Sequence, residues 1–425
     1  MLATTAVAAS LGFLAVTRRR LVRLHTRLDI VTRRIEGASH IGGVQSVYGA
    51  RVPSPSRSPP SLATPATVHV AMCQLAVGVD KAANIAGARD AIFAAAASGA
   101  ALVVLPEMWN CPYANDSFPS YAEEIGTVGG WGESDRVEEV SRDGEEKPPS
   151  SSASTTVKAK SSDSKKGGED SAGGDGNVSV SGKGTATATA AVVASDWSGA
   201  SSSALASQSS PSVAMLSEAA RACGVVLVGG SIPERCPDSG NLYNTCCVFG
   251  RDGTMLARHR KTHLFDIDIP GEITFKESDT LSPGNALTVV DTAVGRIGIG
   301  ICFDVRFPEL AMACVNRGAK ILVYPGAFNT VTGPLHWELL LRARAVDNQC
   351  FVLACSPARV PGATYQAWGH STAVGPFAEV IATCGESPAT VACQLDMKQV
   401  AVRRRNMPLE QQRRGDLYAL HDIQP

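Results

Sequence analysis

The chain has 425 residues, with 39 Lys and Arg against 40 Asp and Glu, and a formal net charge of −1. That balance excludes a protein that takes nucleic acid through bulk charge. Its 12 cysteines lie scattered in apolar segments with no Cys-x-x-Cys pair, which excludes a disulfide scaffold and a zinc site of ordinary spacing, and reads as small buried hydrophobes in a reducing compartment.

The first 28 residues hold no Asp or Glu but carry Arg18, Arg19, Arg20, Arg23 and Arg27 among hydroxylated residues. This is the composition of an organellar transit peptide, for a mitochondrion or a plastid. "AVAASLGFLAV" is short for a bilayer span; a signal anchor and a cytoplasmic chain are the alternatives. "RVPSPSRSPPSLATPAT" is a Pro/Ser linker, so residues 1–66 are assigned to the leader and a disordered connection. The mature form is expected without stable membrane association.

The folded part is expected over 67–425. "VHVAMCQLAVGVD" alternates as a strand does, and "KAANIAGARDAIFAAAASGA" follows at helical period. "ALVVLPE" is a continuous apolar strand ending at Glu107. From about 127 to 210 the composition collapses into Ser, Gly, Ala and Thr, too little apolar surface to offset its ordering entropy, so a disordered insert is expected there. "PSVAMLSEAARACG" resumes as a helix, with Pro211 at its start and Gly224 at its end. "LYNTCCVFG", the turn "RDGT" and "MLARHRK" read as a hairpin. Further strands, "ALTVVDTAVGRIGIGICFD", "ILVYPGAF", "CFVLACSP" and "ATVACQLD", alternate with helices such as "WELLLRARAVDNQ". Strands alternating with helices predict an α/β layered sandwich.

Three residues fall at strand ends. Cys302 follows "GIGI" and precedes a helix pattern in which Phe307, Leu310, Ala311, Cys314 and Val315 recur on one face. A thiol before a helix start is expected to feel the positive end of the dipole, favouring thiolate. Glu107 closes "VVLPE", and Lys261 lies just past the hairpin in "RHRKTHLFD". Each alone reads equally as a buried cysteine, a helix-start acid or a solvated lysine. Together they supply what amide hydrolysis by cysteine needs: a base for the thiol proton, a cation for the oxyanion and an acid for the leaving ammonia. His259, His263, His336 and His370 do not sit in a window suited to a papain-like dyad. "HWE" at 336–338 has the His-x-Glu of zinc deaminases without its Pro-Cys-x-x-Cys partner. No metal and no cofactor are expected.

"VVLPEMW", "RKTHLFD" and "GIGICFDVRFPELA" resemble the three motif blocks of the nitrilase, or carbon–nitrogen hydrolase, superfamily. "GGSIPE", "LYNTC", "HLFDIDIPGEITFKES", "VYPGAFN", "GPLHWELLLRARAVDNQ", "SPAR" and "AWGHSTAV" resemble its omega-amidase branch. The resemblance runs over nearly all of 67–425 except the Ser/Gly tract. It implies an αββα sandwich that pairs to αββα–αββα in a homodimer. It implies Glu107 as general base, Lys261 as oxyanion-stabilising lysine, Cys302 as nucleophile, Glu277 as a supporting acid, and the Phe303 backbone N–H as the rest of the oxyanion hole. It implies hydrolysis of short dicarboxylate monoamides such as 2-oxoglutaramate and succinamate through a Cys thioester. An amidase for deaminated glutathione or another carboxylated amide is the alternative, and a catalytically idle scaffold is set aside by the intact Glu–Lys–Cys set. Arg306, four residues past Cys302, is expected either to pair with the substrate's distal carboxylate or to brace the turn in a salt bridge.

Overall fold

A computed structural model describes residues 65–126, 210–269 and 273–424. The leader and linker expected over 1–66, apart from its last two residues, and the insert expected over 127–210, apart from its last, lie outside the described residues.

The strands are β1 (Thr67–Gln74), β2 (Leu102–Val104), β3 (Val226–Arg235), β4 (Leu242–Phe249), β5 (Met255–Arg260), β6 (Asp266–Ile269), β7 (Ile273–Lys276), β8 (Thr288–Thr292), β9 (Gly295–Ile299), β10 (Ile321–Pro325), β11 (Phe351–Cys355), β12 (Thr372–Val374), β13 (Val380–Thr383) and β14 (Ala389–Asp396). The longer helices are α1 (Lys81–Ala97), α2 (Pro211–Cys223), α3 (Pro308–Asn316), α4 (Thr332–Asn348) and α5 (Lys398–Asn406). Two six-stranded mixed sheets form, ordered β14-β1-β2-β3-β4-β5 and β13-β12-β11-β10-β9-β8, with β6 and β7 as a separate ribbon. The strand centres β1-β2-β3 and β9-β10-β11 run parallel, and antiparallel strands flank them.

Strand alternation explains the layers. In the first sheet Val68, Val70, Met72, Leu102, Val104, Val226 and Val228 join one core with residues of the second sheet, among them Ile297, Ile299 and Val323. The intervening residues Ala71, Cys73, Val103, Leu105 and Leu227 pack instead with Ile92 of α1 and Val213 and Leu216 of α2. Each strand thus feeds two cores, which is why it reads as a continuous apolar run. Full burial of a Val, Leu or Ile contributes about 1.5–3 kcal/mol. On the second sheet Leu310, Ala311 and Cys314 of α3 and Leu341 and Ala345 of α4 are buried in the same core. The result is the expected αββα sandwich.

The hairpin of β4 and β5 forms, and α2 starts at Pro211 and stops at Gly224, whose φ of 63° suits glycine. Two local expectations are corrected, and one element was not expected. The strand in "ALVVLPE" covers only Leu102–Val104, so Glu107 stands in the following loop. Cys302 does not lead straight into an α-helix: a 3₁₀ turn, Cys302–Arg306, comes first. Phe307 then turns extended (φ −101°, ψ 99°) and α3 begins at Pro308, because the residue before proline is barred from the helical region. Finally, "DIDIPGEITFK" carries the β6–β7 ribbon, which the sequence pattern did not announce. Among the described residues all twelve cysteines are unpaired, and no helix is long and apolar enough to cross a membrane.

Candidate active site

Glu107 is placed by a bulge in β3. The register shifts between Val228 and Ser231. There Gly230 adopts φ 63°, and a Cβ on it would lie 2.2 Å from the Pro106 carbonyl oxygen. Only glycine permits that approach. Ser231 N–H donates to Pro106 O (3.0 Å), Ser231 Oγ accepts from Met108 N–H (3.1 Å), and the Trp109 ring N–H donates to Gly229 O (2.7 Å). The loop carrying Glu107 is therefore pinned to the strand beside it.

Lys261 follows β5, with its N–H bonded to Asn244 O at 2.8 Å. Glu277 opens a short 3₁₀ turn after β7. Cys302 opens the turn after β9 with φ 47°, a left-handed conformation that is uncommon for a residue with a Cβ. These four residues, spread over nearly 200 positions of sequence, meet at one point. The Lys261 ammonium donates to Glu107 Oε1 at 3.0 Å and to Glu277 Oε1 at 2.9 Å. Glu107 also accepts from the Asn244 amide (2.8 Å) and, through Oε2, from Ala327 N–H (2.8 Å). Glu277 accepts from Phe265 N–H at 2.7 Å and from the Tyr113 hydroxyl at 2.6 Å. Glu107, Lys261 and Glu277 are buried and Cys302 is nearly so.

Burial away from water favours neutral forms, and the neighbours modify that. For Lys261 burial works to lower the pKa, but Glu107, Glu277 and Cys302 overrule it and hold the ammonium protonated. Glu107 is pushed up by burial, with Lys261 opposing and Glu277 adding to the rise. Cys302 is pushed well above the ordinary thiol by burial first and by Glu107 next, against the pull of Lys261. The expected helix-dipole thiolate is therefore not favoured: burial and Glu107 shift Cys302 toward the thiol form. A thiol hydrogen bond from Cys302 is among the influences on Glu107, so thiol and carboxylate lie within reach of each other.

Phe303 is the second residue of the turn, where an N–H has no acceptor within the turn itself. Its ring packs against Phe265 and Phe307. Arg306 is half-buried beside the rings of Phe303 (5.4 Å) and Phe328 (4.8 Å). No carboxylate pairs with it among the described residues, its Nε–H has no partner, and its other end meets His336 Nδ1 at 3.2 Å. The salt-bridge alternative thus has no acid to supply it. Sequence reasoning missed Asn244, the Ala327 N–H, Tyr113 and Tyr365. The Tyr113 ring packs at a tilt against that of Tyr365, with centroids 4.5 Å apart, and the Tyr365 hydroxyl donates to Ala327 O. Asn244 lies in "LYNTC" and Ala327 in "VYPGAFN", so the motif blocks held a signal, though one that assigned no role. Among the described residues no group of His, Cys, Asp and Glu could hold a metal ion.

A cysteine, a lysine and a glutamate converging at the strand ends of an αββα sandwich define a hydrolase of carbon–nitrogen bonds. The chain belongs to the carbon–nitrogen hydrolase family, whose model matches residues 69–149 and 188–405. It is similar to the chloroplastic omega-amidase of Arabidopsis thaliana, with 47% identity over 376 residues, 88% of this chain and 80% of that protein. It is 41% identical to omega-amidase NIT2 of Homo sapiens over 84% of this chain and 99% of that one. Among solved structures, Saccharomyces cerevisiae Nit3, of branch 10 of the nitrilase superfamily, superposes with a TM-score of 0.59 at 35% identity, covering 83% of this chain and 98% of that chain.

Proposed function

We propose that the protein is an omega-amidase, hydrolysing the terminal amide of short dicarboxylate monoamides such as 2-oxoglutaramate and succinamate to the dicarboxylate and ammonia. Glu107 takes the thiol proton as Cys302 Sγ attacks the amide carbon. Lys261 Nζ and the Phe303 N–H hold the oxyanion. Glu107 returns the proton to the leaving nitrogen, ammonia departs and a thioester remains. Glu107 then deprotonates a water that attacks the thioester, releasing the acid and restoring the thiol. Glu277 keeps Lys261 aimed. No cofactor takes part.

The observation that carries the substrate class is Arg306, a half-buried guanidinium without a carboxylate among the described residues, packed beside the ring of Phe303, the residue next to Cys302. A substrate carboxylate supplies the missing partner, and a neutral amide leaves the guanidinium unpaired. The names of the relatives support the same reading. The test compares succinamate with butyramide, of similar length but uncharged: succinamate is expected to turn over far faster, and Arg306→Lys to raise KM for succinamate because the planar fork is lost. Equal turnover of the two amides would sink carboxylate recognition, leaving a generic aliphatic amidase.

A homodimer fits the surface of α4 and the Val331 residue that caps it. Val331, Leu335 and Leu339 are 53%, 64% and 63% exposed and recur every four residues, an apolar stripe that a second copy would cover. Location in a plastid or mitochondrion is supported by the composition of the N-terminus and by the chloroplastic relative.

A further inference from the structure

We propose that Asp304 is a positioning residue of this hydrolysis: one carboxylate that fixes the Lys261 strand end against the Cys302 turn, acting through His259 and His263. The proposal rests on the reading of Cys302 as nucleophile. Asp304 is wholly buried, two residues past the thiol, and the partners of its carboxylate flank the two reacting groups. On the nucleophile side, Oδ2 accepts from Ile301 N–H at 2.8 Å while Asp304 N–H donates to Ile301 O at 3.0 Å. The two bonds close the turn around Cys302 and Phe303, where a left-handed cysteine needs holding. On the lysine side, Oδ2 faces His259 Nε2 at 3.3 Å, and Oδ1 accepts from His263 N–H at 2.9 Å and faces His263 Nδ1 at 2.8 Å.

His259, Lys261 and His263 are alternate residues of one segment, so the lysine is gripped on either side by groups bound to the same carboxylate. An ionised carboxylate only accepts, so both ring nitrogens facing it must carry the hydrogen. Burial alone would raise the Asp304 carboxyl, but the bonds from His259, His263 and Ile301 hold it well below the usual carboxylate range. The grip is anchored further out. His259 Nδ1 meets Thr288 Oγ1 of β8 at 2.9 Å, and the His263 ring stacks on Phe307 at 3.6 Å, immediately before α3. Lys261 and the Phe303 N–H must bracket a single oxygen, and Asp304 is the group bonded to both of their segments.

The test measures three quantities on the full chain: kcat and KM for succinamate, the rate of iodoacetamide alkylation at Cys302 located by peptide mapping, and the melting temperature. Asp304→Asn and His263→Ala are expected to lower kcat at least 30-fold with KM within threefold of the parent, and to slow Cys302 alkylation at least tenfold. His263→Asn, whose amide nitrogen can stand where Nδ1 stands, is expected to recover most of both losses. A carboxylate that only stabilised the fold would move the melting temperature without that pattern. The proposal is overturned if His263→Ala stays within threefold of the parent in kcat and alkylation, or if His263→Asn is no better than His263→Ala. Should Asp304→Asn fail to fold, the His263 pair decides. Should the parent not hydrolyse succinamate, the functional reading falls while the alkylation series still tests the positioning.

Discussion

At the scale of single residues the site is a buried charge triangle, and its protonation dictates its kinetics. Burial and Glu107 favour the thiol form of Cys302, and the neighbouring glutamates favour the Lys261 ammonium. The sign is then fixed: a raised thiol pKa means that the thiolate fraction grows about tenfold per pH unit until that pKa is passed. Alkylation of Cys302 by iodoacetamide is expected to accelerate steadily through pH 9, and a plateau below pH 8 would show a pre-formed thiolate. Cys302→Ala is expected to leave no measurable ammonia release, since no other group here can carry the acyl chain. In the proposed mechanism Lys261→Met removes an oxyanion donor, so a loss of about 2.7–4 kcal/mol or 10²–10³ in kcat is expected; unchanged turnover in that variant would make the lysine structural. Glu107, Lys261 and Cys302 were legible in the sequence because each sits in a short block beside an apolar strand. The thiol's protonation was not legible: it is set by burial and by two glutamates, 195 and 25 residues away in sequence, that only the fold brings near.

At the scale of elements, α2 has an unusual N-terminus. Ser210 makes no cap of its own. Instead the buried Glu123 accepts from Ser210 Oγ at 2.9 Å and Ser212 N–H at 3.0 Å, and pairs with Lys81 of α1 at 2.9 Å. The carboxylate serves the helix's free N–H groups and its positive end from 87 residues upstream. Glu123→Ala leaves those buried donors unpaired, a loss of about 1–3 kcal/mol, and thermal unfolding is expected several degrees lower; an unchanged melting curve would show that water replaces the carboxylate without penalty. Pro211 and Gly224 marked the ends of this helix in the sequence, but a cap supplied from so far away carries no local pattern. The β6–β7 ribbon escaped notice for a related reason. Its four-residue strands, split by Pro270 and Gly271, are too short for alternation to register.

At the scale of the whole molecule, the Glu123–Ser210 bond holds the two flanks of residues 127–209 side by side. Deleting residues 130–208 is therefore expected to leave turnover and melting temperature close to the parent's. A large fall in either would show that the tract contributes to the core domain. The stripe on α4 makes a second prediction. Sedimentation should give a dimer, and Leu335→Asp with Leu339→Asp should shift it to monomer, because two carboxylates would have to be desolvated in the interface. The layered architecture was legible because its strands are almost uninterrupted apolar runs. The exposed stripe on α4 was not, since two leucines on one helix face look the same as ordinary surface until the neighbouring layers are in place.

The depth of Lys261 has a practical consequence. Amine-directed reagents need an accessible, deprotonated nitrogen, and Lys261 offers neither, whereas Lys320 and Lys398 stand in solvent. Coupling the protein to a solid support through its surface amines should therefore leave the buried cluster untouched, whereas maleimide or iodoacetyl supports would be drawn to the partly exposed thiols of Cys223 and Cys236.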